Sequence, residues 1–196
     1  MLEQNINCQK MSTEELRELR EYVFKIVLLG DAAVGKTSLI SRYCEGSFSE
    51  DYKPTLGANI IRKDVNVDKV NVKVRLILWD LAGQEKYSVI RSMYFQGCIG
   101  AFLVFDLTRF KTFENVKLKW YKDFKKYVKK EGIYILVGNK VDLKDERTIP
   151  TEEGQNLAQK INAINYIETS AKFGENIEEA FSTLVFQILR NQGLKI

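Results

Sequence analysis

Apolar positions in this chain follow two rhythms. Short unbroken runs such as Ile99-Gly-Ala-Phe-Leu-Val-Phe105 and Ile133-Tyr-Ile-Leu-Val137 alternate with longer stretches of helical spacing. The runs predict strands over 23–29, 58–67, 71–79, 99–106, 133–139 and 165–169. The helical spacing predicts helices over 36–45, 85–96, 111–130, 151–162 and 175–190. Most runs lack apolar/polar alternation, as strands covered on both faces should. Val70-Asn-Val-Lys-Val-Arg-Leu76 does alternate, and it follows Val65-Asn-Val67 across Asp68-Lys69, which reads as a hairpin at a sheet edge. The expected fold is therefore α/β and doubly wound, with six strands, one antiparallel edge and five flanking helices.

Upstream, Ser12 and Glu15 form a candidate capping box ahead of Leu16, Leu19 and Val23 on one stripe, which predicts a separate short helix over 12–23. The chain thus divides into an N-terminal extension, 1–22, a single domain, 23–191, and a short tail, 192–196.

Composition narrows the chemistry. There is no histidine in the 196 residues, which excludes Ser-His-Asp and Cys-His nucleophiles and imidazole metal sites. Cys8, Cys44 and Cys98 lack metal-ligand spacing and read as free thiols of a reducing cytoplasm. No apolar stretch is long enough to span a bilayer. The net charge of +4 is concentrated in 111–130, where eight lysines face only Glu114 and Asp123. With no base-reading motif beside them, these lysines read as the wet face of a helix whose Trp120, Phe124 and Val128 pack inward, so no nucleic-acid partner is expected.

The most specific pattern is Gly30-Asp-Ala-Ala-Val-Gly35-Lys36-Thr37, a complete G-x-x-x-x-G-K-[ST] loop between a predicted strand and a predicted helix. Its glycines let backbone N–H groups cradle phosphate oxygens, Lys36 adds a cation, and Thr37 offers a hydroxyl to Mg²⁺. Two further motifs follow strand ends. In Asp80-Leu-Ala-Gly83-Gln84 the acid suits a Mg²⁺-bound water and the glycine N–H a γ-phosphate. In Asn139-Lys140-Val-Asp142 the carboxylate can accept from both guanine N1–H and the exocyclic amine, a donor pair adenine lacks. Ser170-Ala171-Lys172 follows the last strand and would complete the base pocket.

With these motifs in order over about residues 23–190, the chain resembles the Ras-like small GTPases, nearest the Rab-type branch. The resemblance implies a GTP/GDP-binding, Mg²⁺-dependent P-loop domain that hydrolyses GTP slowly and signals through two switch loops. It implies that Gly30, Ala33, Val34, Gly35, Lys36, Thr37 and Ser38 hold the phosphates, with Thr37, Thr55 and Asp80 serving the metal. Phe48 would lie against guanine and Tyr52 over the phosphates. Gly83 would donate to the γ-phosphate. Gln84 would orient water, with Lys36 and Thr55 assisting. Asn139, Lys140, Asp142, Ser170, Ala171 and Lys172 would frame the base.

Effectors, activating proteins and exchange factors are the implied partners of a monomeric cytoplasmic protein. The sequence shows no obvious arginine supplied in cis, so an activating partner would supply one. The chain has no cysteine after Cys98, and Leu2 rather than a glycine follows Met1, so no lipid anchor is expected from it. A module that signals or scaffolds with bound nucleotide and without turnover remains an alternative, as does a P-loop ATPase or kinase, against which Asn139 and Asp142 argue.

Overall fold

The computed structural model describes residues 19–51, 53–82, 91–128 and 132–196. Strand β1 (Arg20–Leu29) leads through the phosphate loop into helix α1 (Lys36–Glu45). Strands β2 (Ala58–Val67) and β3 (Val72–Leu81) form the antiparallel edge. Helix α2 (Arg91–Phe95) precedes β4 (Gly100–Asp106). Helices α3 (Phe110–Asn115) and α4 (Tyr121–Tyr127) are joined into one rod by a π-turn, Val116–Trp120. Strand β5 (Ile133–Asn139), helix α5 (Thr151–Lys160), strand β6 (Tyr166–Thr169) and helix α6 (Ile177–Asn191) complete the domain.

The sheet order is β2-β3-β1-β4-β5-β6, and every neighbouring pair but β2–β3 is parallel. Every residue of β4 and β5 is buried, as the missing alternation requires. Successive β1 residues feed opposite cores. Ile26 and Leu28 join Leu39 and Tyr43 of α1 with Phe181 and Leu184 of α6. Val27 and Leu29 join Trp120, Phe124 of α4 and Leu157 of α5. Helices thus cover both faces, and the crevice beyond the strands' carboxyl ends is left for a ligand.

Three sequence expectations need correction. Residues 20–23 are strand, not the end of a 12–23 helix; 12–18 lie outside the described residues. Strand β1 therefore begins at Arg20, three residues before the expected Val23. The cause is non-local: β3 extends back to Val72, and Arg20 to Val23 pair with Val72 to Arg75, a partner that no local pattern reveals. The β2–β3 connection is a 3₁₀ turn, Asp68–Val70, closed by Asn71 at φ 50°, so β3 starts at Val72. Helix α6 starts at Ile177, because Ser170 bridges to Glu175 and Asn176 turns through φ 56°.

The remaining boundaries shift by a few residues. The expected 85–96 helix is described only from 91. The expected 111–130 helix spans 110–127, with the π-turn inside it, and Val128 is extended. Lys117, Lys122, Lys125 and Lys126 are exposed while Val116, Trp120 and Phe124 are buried, which is the solvated face read from the pattern. Cys44 and Cys98 are free thiols. No described helix is long and apolar enough to cross a membrane.

Candidate functional site

A cleft of about 470 Å³ opens at the carboxyl ends of β1, β3 and β5. It has the size of a small-molecule site. Its floor is the phosphate loop. Gly30, Ala33 and Gly35 take φ of 155°, 58° and 96°, so the loop turns repeatedly through left-handed conformations. Two of its glycines are also steric necessities. A Cβ on Gly30 would meet the Val104 carbonyl oxygen at 2.2 Å, and one on Gly35 would meet Asn139 Nδ2 at 2.2 Å. No described side chain caps α1, so the N–H groups of its first turn are open to an anion in the cleft.

Lys36 is buried, and its ammonium donates to the carbonyls of Gly30 and Asp31, both at 2.8 Å. Burial pushes this lysine down to about 8; Asp80 and Asp31 hold it partly up, while Arg109 and Lys119 oppose them. A polyphosphate favours the charged form, so binding should take up a proton above that value. Affinity for a nucleoside diphosphate is therefore expected to be flat below about pH 8 and to fall roughly tenfold per unit above it. Calorimetry in buffers of different ionisation heat checks the proton uptake. In the same window, up to the ordinary lysine value of 10.5, the ligand-free fold should gain stability with pH, since the unfolded chain holds the extra proton.

Beside Lys36, three oxygens converge. Asp80 Oδ2 accepts from Thr37 Oγ1 at 2.5 Å and from Thr55 Oγ1 at 3.3 Å, and the two hydroxyls lie 3.0 Å apart. Asp80 is fully buried, and its Oδ1 has no hydrogen-bond partner among the described residues. Burial raises its pKa, while Thr37, Lys36 and Thr55 counter that. A buried orphan carboxylate oxygen next to two hydroxyls is a donor set suited to a hard divalent cation such as Mg²⁺.

On the far side, Asn139 is fully buried and spans three segments. Its Nδ2 donates to Val34 O at 2.9 Å, and its Oδ1 accepts from Thr169 Oγ1 at 3.1 Å and Ala171 N at 3.3 Å. Both ends of the amide are thus committed to holding loops together rather than turned to a ligand. Asp142 is half-buried, and its Oδ1 accepts from Ser170 Oγ at 2.6 Å. Lys140, at φ 73°, pairs with the buried Asp106 at 2.7 Å. Lys172 pairs with Glu50 across the mouth at 2.8 Å.

Of the expected residues, Ala33, Gly35, Lys36, Thr37, Ser38, Phe48, Thr55, Asn139, Lys140, Asp142, Ala171 and Lys172 line the cleft. Gly30, Val34, Asp80 and Ser170 support it from behind. Tyr52, Gly83 and Gln84 lie outside the described residues.

Sequence reasoning missed Arg42, Asp106 and Arg109. Arg42 donates to the carbonyls of Ala171, Lys172 and Gly46. Asp106 gathers Thr108, Arg109 and Lys140, and against the cost of burial Lys140 and Thr108 hold its carboxyl below the usual range. Arg109 also donates to Ala32 O at 3.0 Å. An arginine therefore does stand beside the loop, with its guanidinium tied to Asp106 and to that carbonyl. The only advance signal was the polar run Asp106-Leu-Thr-Arg109 at a strand end.

The chain is similar in sequence to known proteins. The sequence model of the Ras family matches residues 25–190. The Arabidopsis thaliana Ras-related protein RABA1e is 42% identical over 170 residues, covering 87% of this chain and 76% of the relative. Ras-related proteins RABA4a and RABA4b of the same plant are 42% and 40% identical over 168 residues, covering 86% of this chain and 73% of each relative. The matched span takes in the phosphate loop, Asp80, Asn139 and the 170–172 segment, and this chain is a member of the Ras family, a small GTPase and molecular switch.

Proposed function

We propose that the cleft holds GTP or GDP with Mg²⁺ in one defined pose. The phosphates lie on the phosphate loop, with Lys36 between them and the open N–H groups of α1 donating to their oxygens. Thr37, Thr55 and Asp80 hold the metal. Mg²⁺, when bound, neutralises charge on the phosphate oxygens. The base lies against Phe48 and between Lys140 and Ala171, with Asp142 accepting from its N1–H and amine. Gly83 and Gln84 would donate to the terminal phosphate and orient water. Since the Arg109 guanidinium is engaged elsewhere, an activating protein supplies the arginine that speeds hydrolysis, by about 10³–10⁵.

Thr55 supports the switching part of this reading, because its hydroxyl joins the Thr37–Asp80 cluster from a loop otherwise on the cleft rim. In the proposed pose the metal and terminal phosphate add to that hold, and losing the phosphate would loosen the loop. The neighbouring Leu56 and Ile60 are 74% and 53% exposed and give an effector apolar surface to read. Free Cys44 and Cys98 support a cytoplasmic setting.

The observation that carries the reading is the buried Asp80 Oδ1, without a partner among the described residues, beside Thr37 and Thr55 at the foot of the phosphate loop. The test titrates nucleotide-free protein with labelled GDP and ADP, with and without Mg²⁺. Tight, Mg²⁺-dependent GDP binding is expected, with ADP weaker by about 10⁴. Comparable affinities would overturn the base pose, and indifference to Mg²⁺ would overturn the metal assignment.

A further inference from the structure

Asp31 has no role in the pose above and does not line the cleft, yet its carboxylate is held at both oxygens. Oδ1 accepts from Trp120 Nε1 at 2.8 Å and Oδ2 from Asn115 Nδ2 at 2.7 Å. The Asp31 carbonyl takes the Lys36 ammonium at 2.8 Å, and the next carbonyl, Ala32, takes Arg109 at 3.0 Å. The outer side of the phosphate loop is thus pinned to the α3–α4 rod and its N-terminal approach by three side chains.

The π-turn explains how two of those side chains reach one carboxylate. In an α-helix, residues five apart point about 140° away from each other. Here Tyr121 N–H donates to Val116 O, five residues back, and the wider turn brings position 120 round towards position 115. Asn115 and Trp120 therefore converge on Asp31. Trp120 is 1% exposed, which shields its bond to the anion from water.

A carboxylate in a loop that receives phosphates repels them unless its charge is absorbed, and these donors absorb it. The loop also carries a non-glycine residue, Ala33, at φ 58°, a conformation that persists only where the surroundings impose it.

We propose that Asp31 is a positioning residue for the nucleotide's β-phosphate: anchored by Trp120 and Asn115 on the π-turn, it sets the direction of the phosphate loop's N–H groups. This rests on the pose described above. Loosening the anchor weakens phosphate contacts and leaves base recognition intact.

The test compares Trp120→Phe, which keeps the ring packing and removes the N–H donor, with Asn115→Ala and Asp31→Ala in the full chain. Release of labelled GDP is read by stopped flow, and affinities for GDP, GMP and ADP by competition. Each variant is expected to release GDP about tenfold faster, since each loses a hydrogen bond to or from a charged group. The preference for GDP over GMP should shrink by a similar factor, while the preference for GDP over ADP stays. Asp31→Ala combined with Trp120→Phe should release GDP no faster than the faster single variant, as partners in one contact do.

GDP release within twofold of wild type in Trp120→Phe would overturn the proposal, and so would an equal loss for GDP and GMP. If Asp31→Ala does not fold, Trp120→Phe alone decides. A wild-type chain that did not prefer GDP to ADP would sink the pose instead, so the two failures are separable.

Discussion

Asp142→Ala is expected to abolish the choice between guanine and adenine. The wild-type carboxylate already accepts one hydrogen bond, from Ser170 Oγ, and is half-buried at the cleft wall. In the proposed pose a bound guanine covers it and supplies two more donors. A site built on such pairing rejects the analogue that lacks them, because the carboxylate is then left desolvated and unmatched; the usual scale is about 10⁴ or more. Alanine removes both the reward for guanine and the penalty for adenine. GDP affinity should fall by about 10³–10⁴, ADP should change by only a few-fold, and the two should converge. Competition against labelled nucleotide at fixed Mg²⁺ measures both. If Asp142→Ala kept its GDP preference, recognition would have to rest on Lys140, Ala171 and backbone groups.

Asn139→Ala should act on the fold itself as well as on binding. Its amide joins the phosphate loop, β6 and the 170–172 segment through a single side chain. Truncation strands Val34 O, the Thr169 hydroxyl and Ala171 N in a buried region. At about 1 kcal/mol or more for each unsatisfied group, a loss of roughly 3 kcal/mol is expected. For a domain of this size that is a fall in Tm of about 6–12 °C. GDP should weaken too, since the carbonyl steadied by Asn139 belongs to the phosphate loop. Thermal unfolding with and without saturating GDP separates the two effects. A Tm within about 2 °C of wild type would mean that water takes over the amide's bonds.

Much of this protein was legible from its residues in order. The unbroken runs of β4 and β5 and the alternation of β3 are one-dimensional signatures of burial on two faces and on one. The phosphate loop was legible because one short segment contains all the chemistry its backbone needs. What stayed hidden was pairing at a distance. Trp120 meets Asp31 across 89 positions and Arg42 meets Lys172 across 130. The helix expected over 12–23 gave way at 20–23, the described end of it, for a related reason. Leu16, Leu19 and Val23 do make a helical stripe, but Arg20 to Val23 become strand because β3 offers them a partner. The π-turn was equally invisible, since 111–130 has ordinary helical spacing and shows no extra residue. Asn139 carried the opposite lesson. Its motif was plain, but its side chain proved to be a strut between loops.

The three carbonyls held by Arg42 have a mechanical consequence. Helix α1 carries Lys36 and Thr37 at its first turn and Arg42 about 9 Å further along, bonded to the carbonyls of Ala171 and Lys172. In the proposed pose the helix is therefore a stiff rod with the phosphate grip at one end and the purine grip towards the other. Neither grip can open far without dragging its counterpart, so the two should let go together as a single kinetic event. A protein that expels the nucleotide need only pry at one end of that rod.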